Sequence, residues 1–329
     1  MNKKFVIKNN IDLANPILGT KIHSFSDEFF AAAKRVINPS PPIFKENFFD
    51  NHGKWMDGWE TRRRRSKGND YIVIKLGKPG KINLIDIDTS FFNGNQPEYA
   101  EIEGCFTKNN NLKNIKWRKI TKRKKIKPNT RNFFKTISSL TYTHIRLNIY
   151  PDGGIARIRL FGSIDLSLQK ISDNKRINFT SLFNGSYIIA CSDEHFGNTN
   201  NILLPGKSKN MGNGWETRRR RGKGYDWLII KLGIIGSPNI FEINTHHFKG
   251  NYPDCFSIQG ILDKKNQSVN SIVNKSKTWK TIIKKTKLKP NSSLKIKIDQ
   301  NIKKKINYIK LNIYPDGGIS RFRAFGKIN

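Results

Sequence analysis

The fold is decided by the stretch DGWETRRRRSKGNDYIVIKLG (57–77), because it returns as NGWETRRRRGKGYDWLIIKLG (213–233) with 15 of its 21 positions unchanged. A second stretch, LNIYPDGGIARIRLFG (147–162), matches LNIYPDGGISRFRAFG (311–326) at 13 of 16 positions. The two pairs lie 156 and 164 residues apart, a period far too long for a solenoid. The 329-residue chain therefore contains two copies of one unit, each of ordinary domain size.

The boundaries of the two copies follow from the motifs around them. SDEFF (26–30) precedes the first arginine run, and SDEHF (192–196) precedes the second. Between the copies, residues 163–177 are polar and lack strong hydrophobic patterning, as is typical of a linker. We therefore predict a first domain at 1–165 and a second domain at 166–329.

Each copy has the pattern of short β-strands. YIVIKL (71–76) and WLIIKL (227–232) are rich in β-branched residues and are followed directly by glycine. IRLNIY (145–150) alternates apolar and polar residues and ends in Pro-Asp-Gly-Gly, a strong turn signal. A helix is predicted over 27–36, with Asp27 as its cap. Short strands between Gly and Pro turns predict an all-β chain with a β-sandwich or jelly roll in each copy.

The chain is strongly basic, with a formal net charge of +36 and a sequence pI near 10.2. Such a charge is typical of nucleic-acid-binding proteins. The lysines lie among Asn and Ile, however, as in KRKKIK (122–127) and IIKK (282–285), which indicates the codon bias of an AT-rich genome. These runs also lack the interleaved aromatic residues that stack on a nucleic acid. We therefore expect no required nucleic-acid partner, and a polyanion-binding protein is the weakest of the alternatives.

The expected cellular location follows from what the sequence lacks. No apolar run approaches the roughly 20 residues that a membrane span needs. Residues 1–10 contain lysines but no apolar segment or small-residue cleavage site, so a secretion signal is not expected. The three cysteines, Cys105, Cys191 and Cys255, are widely spaced and form no disulfide or zinc pattern. We therefore predict a cytoplasmic protein without a membrane partner.

The repeated WETRRRR (59–65 and 215–221) contains the first candidate binding groups. In an extended chain alternate arginines point to opposite sides, so one pair can face a pocket while the other forms ion pairs or lies at a subunit contact. The planar guanidinium group binds a carboxylate through two hydrogen bonds. The alternative is a solvated or structural ion-pair segment. The candidate carboxylate-binding arginines are Arg62, Arg64, Arg218 and Arg220.

The second copy contains the candidate catalytic side chains. NTHHFKGNYPD (244–254) includes two adjacent histidines, and EH (194–195) lies on another loop. Imidazole and carboxylate groups serve either as an acid–base pair or as metal ligands. The spacing is neither HxH nor HxxxH, and purely structural histidines are the alternative. The candidate catalytic residues are Glu194, His195, His246 and His247, and the three histidines are also the candidate metal ligands.

The two copies are not chemically equivalent. The first copy has Phe29, Ser90 and Phe91 where the three histidines of the second copy stand. Beyond the Pro-Asp-Gly-Gly turn of each copy, Arg157 and Arg321 are further candidates for binding an anionic substrate. The remaining polar candidates are Asp88, Asn95, Glu98, Thr245 and Asn251.

These pieces together resemble the allantoicase (allantoate amidinohydrolase) family. The resemblance rests on GKWMDGWETRRRR, SDEHFGNTNNILLPG, THHFKGNYPD and IYPDGGI-R, and it covers both copies between residues 26 and 326. It implies two tandem jelly-roll domains of the galactose-binding-like kind and a soluble homo-oligomer. It also implies hydrolysis of allantoate to ureidoglycolate and urea in allantoin and purine degradation, with a divalent metal such as Mn²⁺ helping some members. Asn213 and Asn244 depart from the aspartates expected at their positions.

The substrate implied by the resemblance carries one carboxylate and two ureido groups on a single carbon. One arginine would hold the carboxylate, and Asn95, Thr245 and Asn251 would hold the ureido groups. Urea leaves only when protonated and water needs a base, so we assign these roles to one of the adjacent histidines with Glu194. A jelly-roll protein that only binds its ligand is the main alternative.

Overall fold

The computed structural model describes residues 10–168, 176–263, 265, 267–299 and 305–328. The chain divides into two compact units, Met1–Leu168 and Gln169–Asn329, hereafter the first unit and the second unit. The predicted linker includes residues 169–175, and the interpretation of the N-terminus rests on residues 1–9; both segments lie outside the described residues.

The first unit consists mainly of short strands. They are β1 (Ile11–Asp12), β2 (Lys21–Phe25), β3 (Phe49–Asp50), β4 (Gly53–Lys54), β5 (Trp59–Glu60), β6 (Asp70–Asp88), β7 (Tyr99–Cys105), β8 (Arg118–Lys119), β9 (Lys124–Lys125), β10 (Arg131–Lys135), β11 (Thr141–Tyr150), β12 (Gly154–Ile155) and β13 (Arg157–Ile164). Short 3₁₀ helices occur at Pro16–Leu18, Ala33–Ile37 and Leu166–Leu168.

The long strand β6 organises the sheet of the first unit. Neighbouring strands follow the order β1-β13-β6-β11-β7-β8, and β2 and β10 also pair with β6. The first part of β6 pairs with β2 and β11, placing Ile74 opposite Ile145. Its last part pairs with β10 and β13, placing Ile85 opposite Leu160. Because one strand changes partners midway, it joins the two layers of the sandwich.

The change of partners in β6 requires glycine. A Cβ atom at Gly77 would lie 2.0 Å from the carbonyl oxygen of Leu18, and one at Gly80 would lie 2.6 Å from that of Ser163. Backbone atoms cannot move aside as a side chain can, so larger residues are excluded there. Gly233 stands at the place of Gly77 in the second unit and has the same close backbone contact.

The core of the first unit lies between the layers and under the arginine run. Ile72, Ile74, Ile145 and Leu147 are all 0% exposed. Burial of each such side chain stabilises the fold by about 1.5–3 kcal/mol. Trp59 is also 0% exposed, so the segment that carries the arginines is anchored to this core.

The second unit repeats the plan of the first. Its strands are β14 (Ile177–Asn178), β15 (Tyr187–Cys191), β16 (Trp215–Glu216), β17 (Asp226–Asn244), β18 (Cys255–Ile261), β19 (Lys280–Lys287), β20 (Ser293–Lys297), β21 (Ile306–Tyr314), β22 (Gly318–Ile319) and β23 (Arg321–Lys327). Its helix is α1 (Val269–Lys275), and 3₁₀ helices occur at Leu182–Asn184, Thr199–Leu203, Met211–Asn213 and Ser276–Thr278. The strand order β14-β23-β17-β21-β18-β19 matches that of the first unit, with β17 in the place of β6.

The prediction of an all-β chain with two tandem jelly-roll sandwiches is confirmed. The domain boundaries at residues 165 and 166 stay a prediction. In the described part of the chain, no helix has the length and apolarity to cross a membrane.

The predicted helix over 27–36 is wrong, since only the 3₁₀ helix Ala33–Ile37 forms there. The carboxylate of Asp27 accepts from the backbone amide of Arg62, which is distant in sequence, so it does not cap a helix. Ala31 meanwhile forms a β-bridge with Glu60. Tertiary pairing therefore overrides the local helical pattern in this segment.

Candidate active site

In each unit, residues of the other repeated motifs form hydrogen bonds with the segment that carries the arginine run. In the first unit, Asp27 forms several of them. Its backbone carbonyl accepts a hydrogen bond from Nε1 of buried Trp59 at 2.7 Å. Its carboxylate accepts from the amides of Arg62 at 2.7 Å and of Phe29 at 3.2 Å. Burial acts to raise the pKa of Asp27, but these amides and the Arg62 guanidinium outweigh it and lower the pKa. The carboxylate is therefore ionised and holds the first arginine in place.

The first arginine of the run is exposed and the third is engaged. Arg62 forms an ion pair with Asp27 at 3.0 Å, yet its side chain is 66% exposed. Its guanidinium carbon lies 4.9 Å from the centroid of the Phe29 ring. Arg64, with 26% of its side chain exposed, pairs with buried Asp70 at 2.6 Å. Of the two predicted binding arginines in this unit, Arg62 is therefore the more exposed.

The second unit has the same arrangement. Trp215 donates from Nε1 to the carbonyl of Asp193 at 2.8 Å, and Arg218 pairs with that aspartate at 3.0 Å. The Arg218 side chain is 68% exposed. Arg220 forms an ion pair with buried Asp226, as Arg64 does with Asp70 in the first unit. In each unit the first arginine of the run is therefore exposed and is held by an aspartate.

The buried carboxyl group of Glu60 lies two residues before Arg62, at the end of β5. Glu60 accepts from Nδ2 of Asn95 at 2.8 Å, and the carbonyl of Asn95 accepts from the amide of Gly154 at 2.7 Å. Burial raises the pKa of Glu60, and the hydrogen bond from Asn95 opposes this only in part. Glu216 and Asn251 are hydrogen-bonded in the same way in the second unit. The predicted ureido-binding side chains Asn95 and Asn251 are thus both bonded to glutamates.

A cleft of about 660 Å³ adjoins Asp27 and Arg62 in the first unit. It is lined by Phe25, Ser26, Asp27, Glu28, Phe29, Asn51, His52, Gly53 and Arg62. Its volume lies within the range of small-molecule sites, which is about 300–1,000 Å³. The sequence-based candidates did not include His52, although it stands just before the repeated motif in NHGKWMDGWETRRRR (51–65).

Arg157 is buried and binds other parts of its own unit. It is 1% exposed and donates five hydrogen bonds, which is the full capacity of a guanidinium group. The acceptors are the carbonyls of Ser40, Pro41, Asp57 and Ala156 and the carboxylate of Asp57. With no donor left for a substrate, the predicted substrate-binding role of Arg157 has no support in this geometry.

Arg321 has the same position in the second unit and is 2% exposed. Its five donors reach the carbonyls of Gly206, Lys207, Asn213 and Ser320 and the amide oxygen of Asn213. The first unit has Asp57 at the position of Asn213. The buried guanidinium group of Arg321 therefore contacts a neutral amide where that of Arg157 contacts a carboxylate. Burial lowers the pKa of Arg321 to about 10. Its predicted substrate-binding role is likewise without support.

The three histidines of the second unit differ in their surroundings. His195 is exposed and stacks edge-on against Phe196, with ring centroids 4.4 Å apart. His247 lies in a turn with φ of +72°, and its Nε2 is 2.9 Å from the carbonyl oxygen of Ser208. Burial, followed by the nearby Lys207 and His247 charges, lowers the pKa of His246.

The structure does not assemble the predicted metal ligands. Among the residues it describes, no three His, Cys, Asp or Glu side chains lie together in a way that could hold a metal ion. His195, His246 and His247 are all described, so they do not form the three-histidine site proposed from the sequence. The residues present therefore do not fit an Mn²⁺ ion held by these three.

The remaining candidates have mainly structural contacts. Thr245 is 1% exposed and donates to the carbonyl of Lys289 at 2.7 Å. Asp88 accepts from the amide and hydroxyl of Ser90 within its own turn. Glu194 is exposed and accepts from the hydroxyl of Thr199 at 3.2 Å.

The fold and the site define a tandem-repeat β-sandwich protein with an aspartate-held, exposed arginine in each repeat. The family model of the allantoicase repeat matches residues 11–165 and 177–329. A probable allantoicase of Pseudomonas fluorescens (strain Pf0-1) is 43% identical over 319 residues, which is 97% of this chain and 96% of that protein. A probable allantoicase of Acinetobacter baumannii (strain SDF) is 42% identical, covering 98% of this chain and 95% of its own. The crystal structure of allantoicase from Saccharomyces cerevisiae superposes with a TM-score of 0.81 at 34% identity, over 98% of this chain and 96% of that one. The chain belongs to the allantoicase family.

Proposed function

We propose that this protein is a hydrolase that converts allantoate and water to ureidoglycolate and urea, as a step in allantoin and purine degradation. Family membership across both repeats supports the substrate. The observation that carries the chemistry is the exposed guanidinium group of Arg62, repeated at Arg218. Allantoate has a single carboxylate, which is the group that an arginine binds best.

The geometry of Arg62 suits an anionic substrate. Its Nε and Nη2 both contact one oxygen of Asp27, at 3.1 and 3.0 Å. This pairing fixes the side chain and leaves the Nη1 edge toward solvent. An arginine that is already oriented loses less conformational entropy when it binds a carboxylate. Arg218 and Asp193 provide the same arrangement in the second unit.

The proton transfers need an acid and a base. The sequence-based predictions for these roles stay Glu194, His195, His246 and His247. Substitution of each residue tests its role. The ureido groups of the substrate need neutral donors and acceptors. Asn95 and Asn251 remain the candidates, because each amide can form more hydrogen bonds than the one it makes to its glutamate.

A urea-release assay with allantoate tests the proposal. The wild-type protein should release urea and ureidoglycolate in equal amounts. Arg62→Ala should lower kcat/KM by about 10- to 100-fold, because a hydrogen-bonded ion contact contributes about 1.5–3 kcal/mol. Arg62→Lys should recover only part of this loss, since lysine keeps the charge without the planar pair of donors.

The neighbouring Arg63 is a matched control, because it is exposed in the same run and adjacent side chains of an extended segment lie on opposite sides. Arg63→Ala should keep the wild-type kcat/KM. Calorimetric binding of allantoate without any urea release would contradict the enzymatic proposal and support a ligand-binding jelly roll.

We further propose that the protein is a homo-oligomer in the cytoplasm. The first unit exposes Ile43, Phe44 and Phe48 at 50%, 49% and 44%. Neighbouring apolar side chains of this kind are commonly covered by another subunit. Sedimentation equilibrium should give a mass that is a multiple of 37.9 kDa. A species of 37.9 kDa at all concentrations would contradict this proposal.

A further inference from the structure

The cleft of the first unit contains the imidazole group of His52, which lies on the loop before the arginine run, and the corresponding loop of the second unit, residues 204–214, contains no histidine. We propose that His52 transfers the protons in allantoate hydrolysis, which makes the first unit the catalytic one. This inference rests on the proposed function and adds the acid–base residue to it.

His52 is held firmly at the tip of a hairpin. It lies between β3 (Phe49–Asp50) and β4 (Gly53–Lys54), where Gly53 adopts a φ of +94°. Its backbone amide donates to the carboxylate of Asp50 at 2.8 Å. Asp50 in turn forms an ion pair with Arg35, whose Nη1 donates to the carbonyl of Met56 at 2.9 Å. Both ends of the hairpin are therefore attached to the body of the unit.

The hydrogen bond of the ring selects its tautomer. Nδ1 of His52 lies 3.0 Å from the carbonyl oxygen of Phe29. A carbonyl oxygen only accepts, so Nδ1 carries the hydrogen. The neutral ring then presents Nε2 with its lone pair, and His52 lines the cleft. A histidine oriented in this way through one nitrogen is prepared to act as a base through the other.

Phe29 places the imidazole and the guanidinium group side by side. Its carbonyl oxygen binds the His52 ring, and its own ring lies 4.9 Å from the guanidinium carbon of Arg62. The two polar groups also line the same cleft. In allantoate the carboxylate and both ureido groups are attached to one carbon. A carboxylate on Arg62 consequently brings the reacting carbon toward His52.

The other histidines are less suitable for this role. His23 has Nε2 at 2.9 Å from the carbonyl of Asn110 and Nδ1 beside the hydroxyl of Ser24. His144 is only 1% exposed. In the second unit, His195 lies beside the Asp193–Arg218 pair, since its backbone amide donates to the Asp193 carboxylate, but its ring is exposed and packs edge-on against Phe196.

The reaction can be completed with this single imidazole. Nε2 of His52 takes a proton from water while the water oxygen bonds to the carbon that carries the carboxylate. The imidazolium gives this proton to the nitrogen of one ureido group as the carbon–nitrogen bond breaks and its electron pair moves onto that nitrogen. Urea is thereby released in its neutral form, and ureidoglycolate remains.

Substitution of His52 by asparagine tests the assignment, because the Asn amide can keep a donor toward Phe29 without providing a base. His52→Asn should lower kcat by about 10²- to 10⁴-fold, the usual contribution of a general acid–base group, with KM changed far less. His23→Asn is the matched control in the same unit and should keep the wild-type kcat. His52→Ala should be partly rescued by added imidazole, which a purely structural role would not allow.

Each outcome has one meaning. His52→Asn with wild-type kcat, or a loss in His247→Asn that exceeds it, would overturn the assignment while wild-type urea release keeps the proposed function. If His52→Asn does not fold, imidazole rescue of His52→Ala decides, and a folded alanine variant without rescue counts against the role. A wild-type protein that releases no urea from allantoate would overturn the proposed function and this inference with it.

Discussion

The two units differ most in the loop that precedes the arginine run. In the first unit this loop covers residues 38–58 and forms the hairpin that carries His52. In the second unit it covers residues 204–214, about half that length, and lacks the hairpin. The exposed arginines, Arg62 and Arg218, are nevertheless held by the same contacts. A duplicated scaffold therefore keeps one aspartate-held arginine in both copies, while a longer loop adds a histidine beside it in only one of them.

The two loops also differ in the residue that binds the buried arginine of each unit. Arg157 binds the carboxylate of Asp57 at 2.6 Å, whereas Arg321 binds the amide oxygen of Asn213 at 2.6 Å. Both guanidinium groups have the same number of hydrogen bonds, but only the first has an opposite charge beside it. The first loop should therefore be anchored more strongly than the second.

The largest expected effect comes from removing these anchors. Asp57→Ala should destabilise the first unit by about 3–5 kcal/mol, because it leaves a buried charge without its partner. Asn213→Ala should destabilise the second unit by only about 1–3 kcal/mol, since it removes a neutral hydrogen-bonding group. Denaturant dependence of amide hydrogen exchange, followed separately in the β6 and β17 cores, measures both. Equal losses in the two units would mean that the charge of Asp57 contributes nothing.

A smaller effect is expected from giving the second unit the pair of the first. Asn213→Asp should raise the free energy of unfolding by about 1 kcal/mol, since the gain from the ion pair is offset in part by desolvation of the carboxylate. Thermal unfolding with calorimetric detection is a suitable measurement, with Asn210→Asp as the exposed control on the same loop. A lower melting temperature for Asn213→Asp than for the wild type would contradict the anchoring argument.

The smallest effect concerns Glu60. Its folded-state pKa is raised by burial, so the native protein binds the proton more tightly than the unfolded chain does. This contribution is present below the unfolded pKa of glutamate and is lost as the pH rises through the raised folded value. Glu60→Gln should therefore raise the stability at neutral pH by less than about 1 kcal/mol, with the gain vanishing in acid. A gain that persists unchanged at pH 4 would show that the charge of Glu60 is not its cause.

Much of the fold could be predicted because its signals are local. The first parts of β6 and β17 appear as β-branched runs, and the repeated letters give their equivalence directly. The ends predicted at Gly77 and Gly233 were wrong, because each strand continues through its glycine to a second set of partners. The helix predicted over 27–36 failed because Asp27 has a partner 35 residues away, which no local pattern reveals. The helix α1 (Val269–Lys275) was not predicted, since its stability depends on packing of Ile272 against Trp279.

The candidate site was predicted less completely than the fold. The arginine run was found, and the assignment of Arg62 and Arg218 to a carboxylate stays a prediction. Arg157 and Arg321 look equally suitable in the sequence, because an arginine beside a turn gives no sign that it is buried. No local pattern marks His52, because its position depends on the contact of its ring with the carbonyl of Phe29, 23 residues away.

The sequence by itself determined that the chain is a duplicated β-sandwich, since repeats, strand patterns and turn residues are written locally. The tertiary structure alone decided which arginines have donors to spare. That depends on contacts such as the hydrogen bonds of Arg157 to carbonyls that lie 100 or more residues away. A guanidinium group has only five donors, so whether it binds a substrate or its own fold is settled by the acceptors that folding brings within reach.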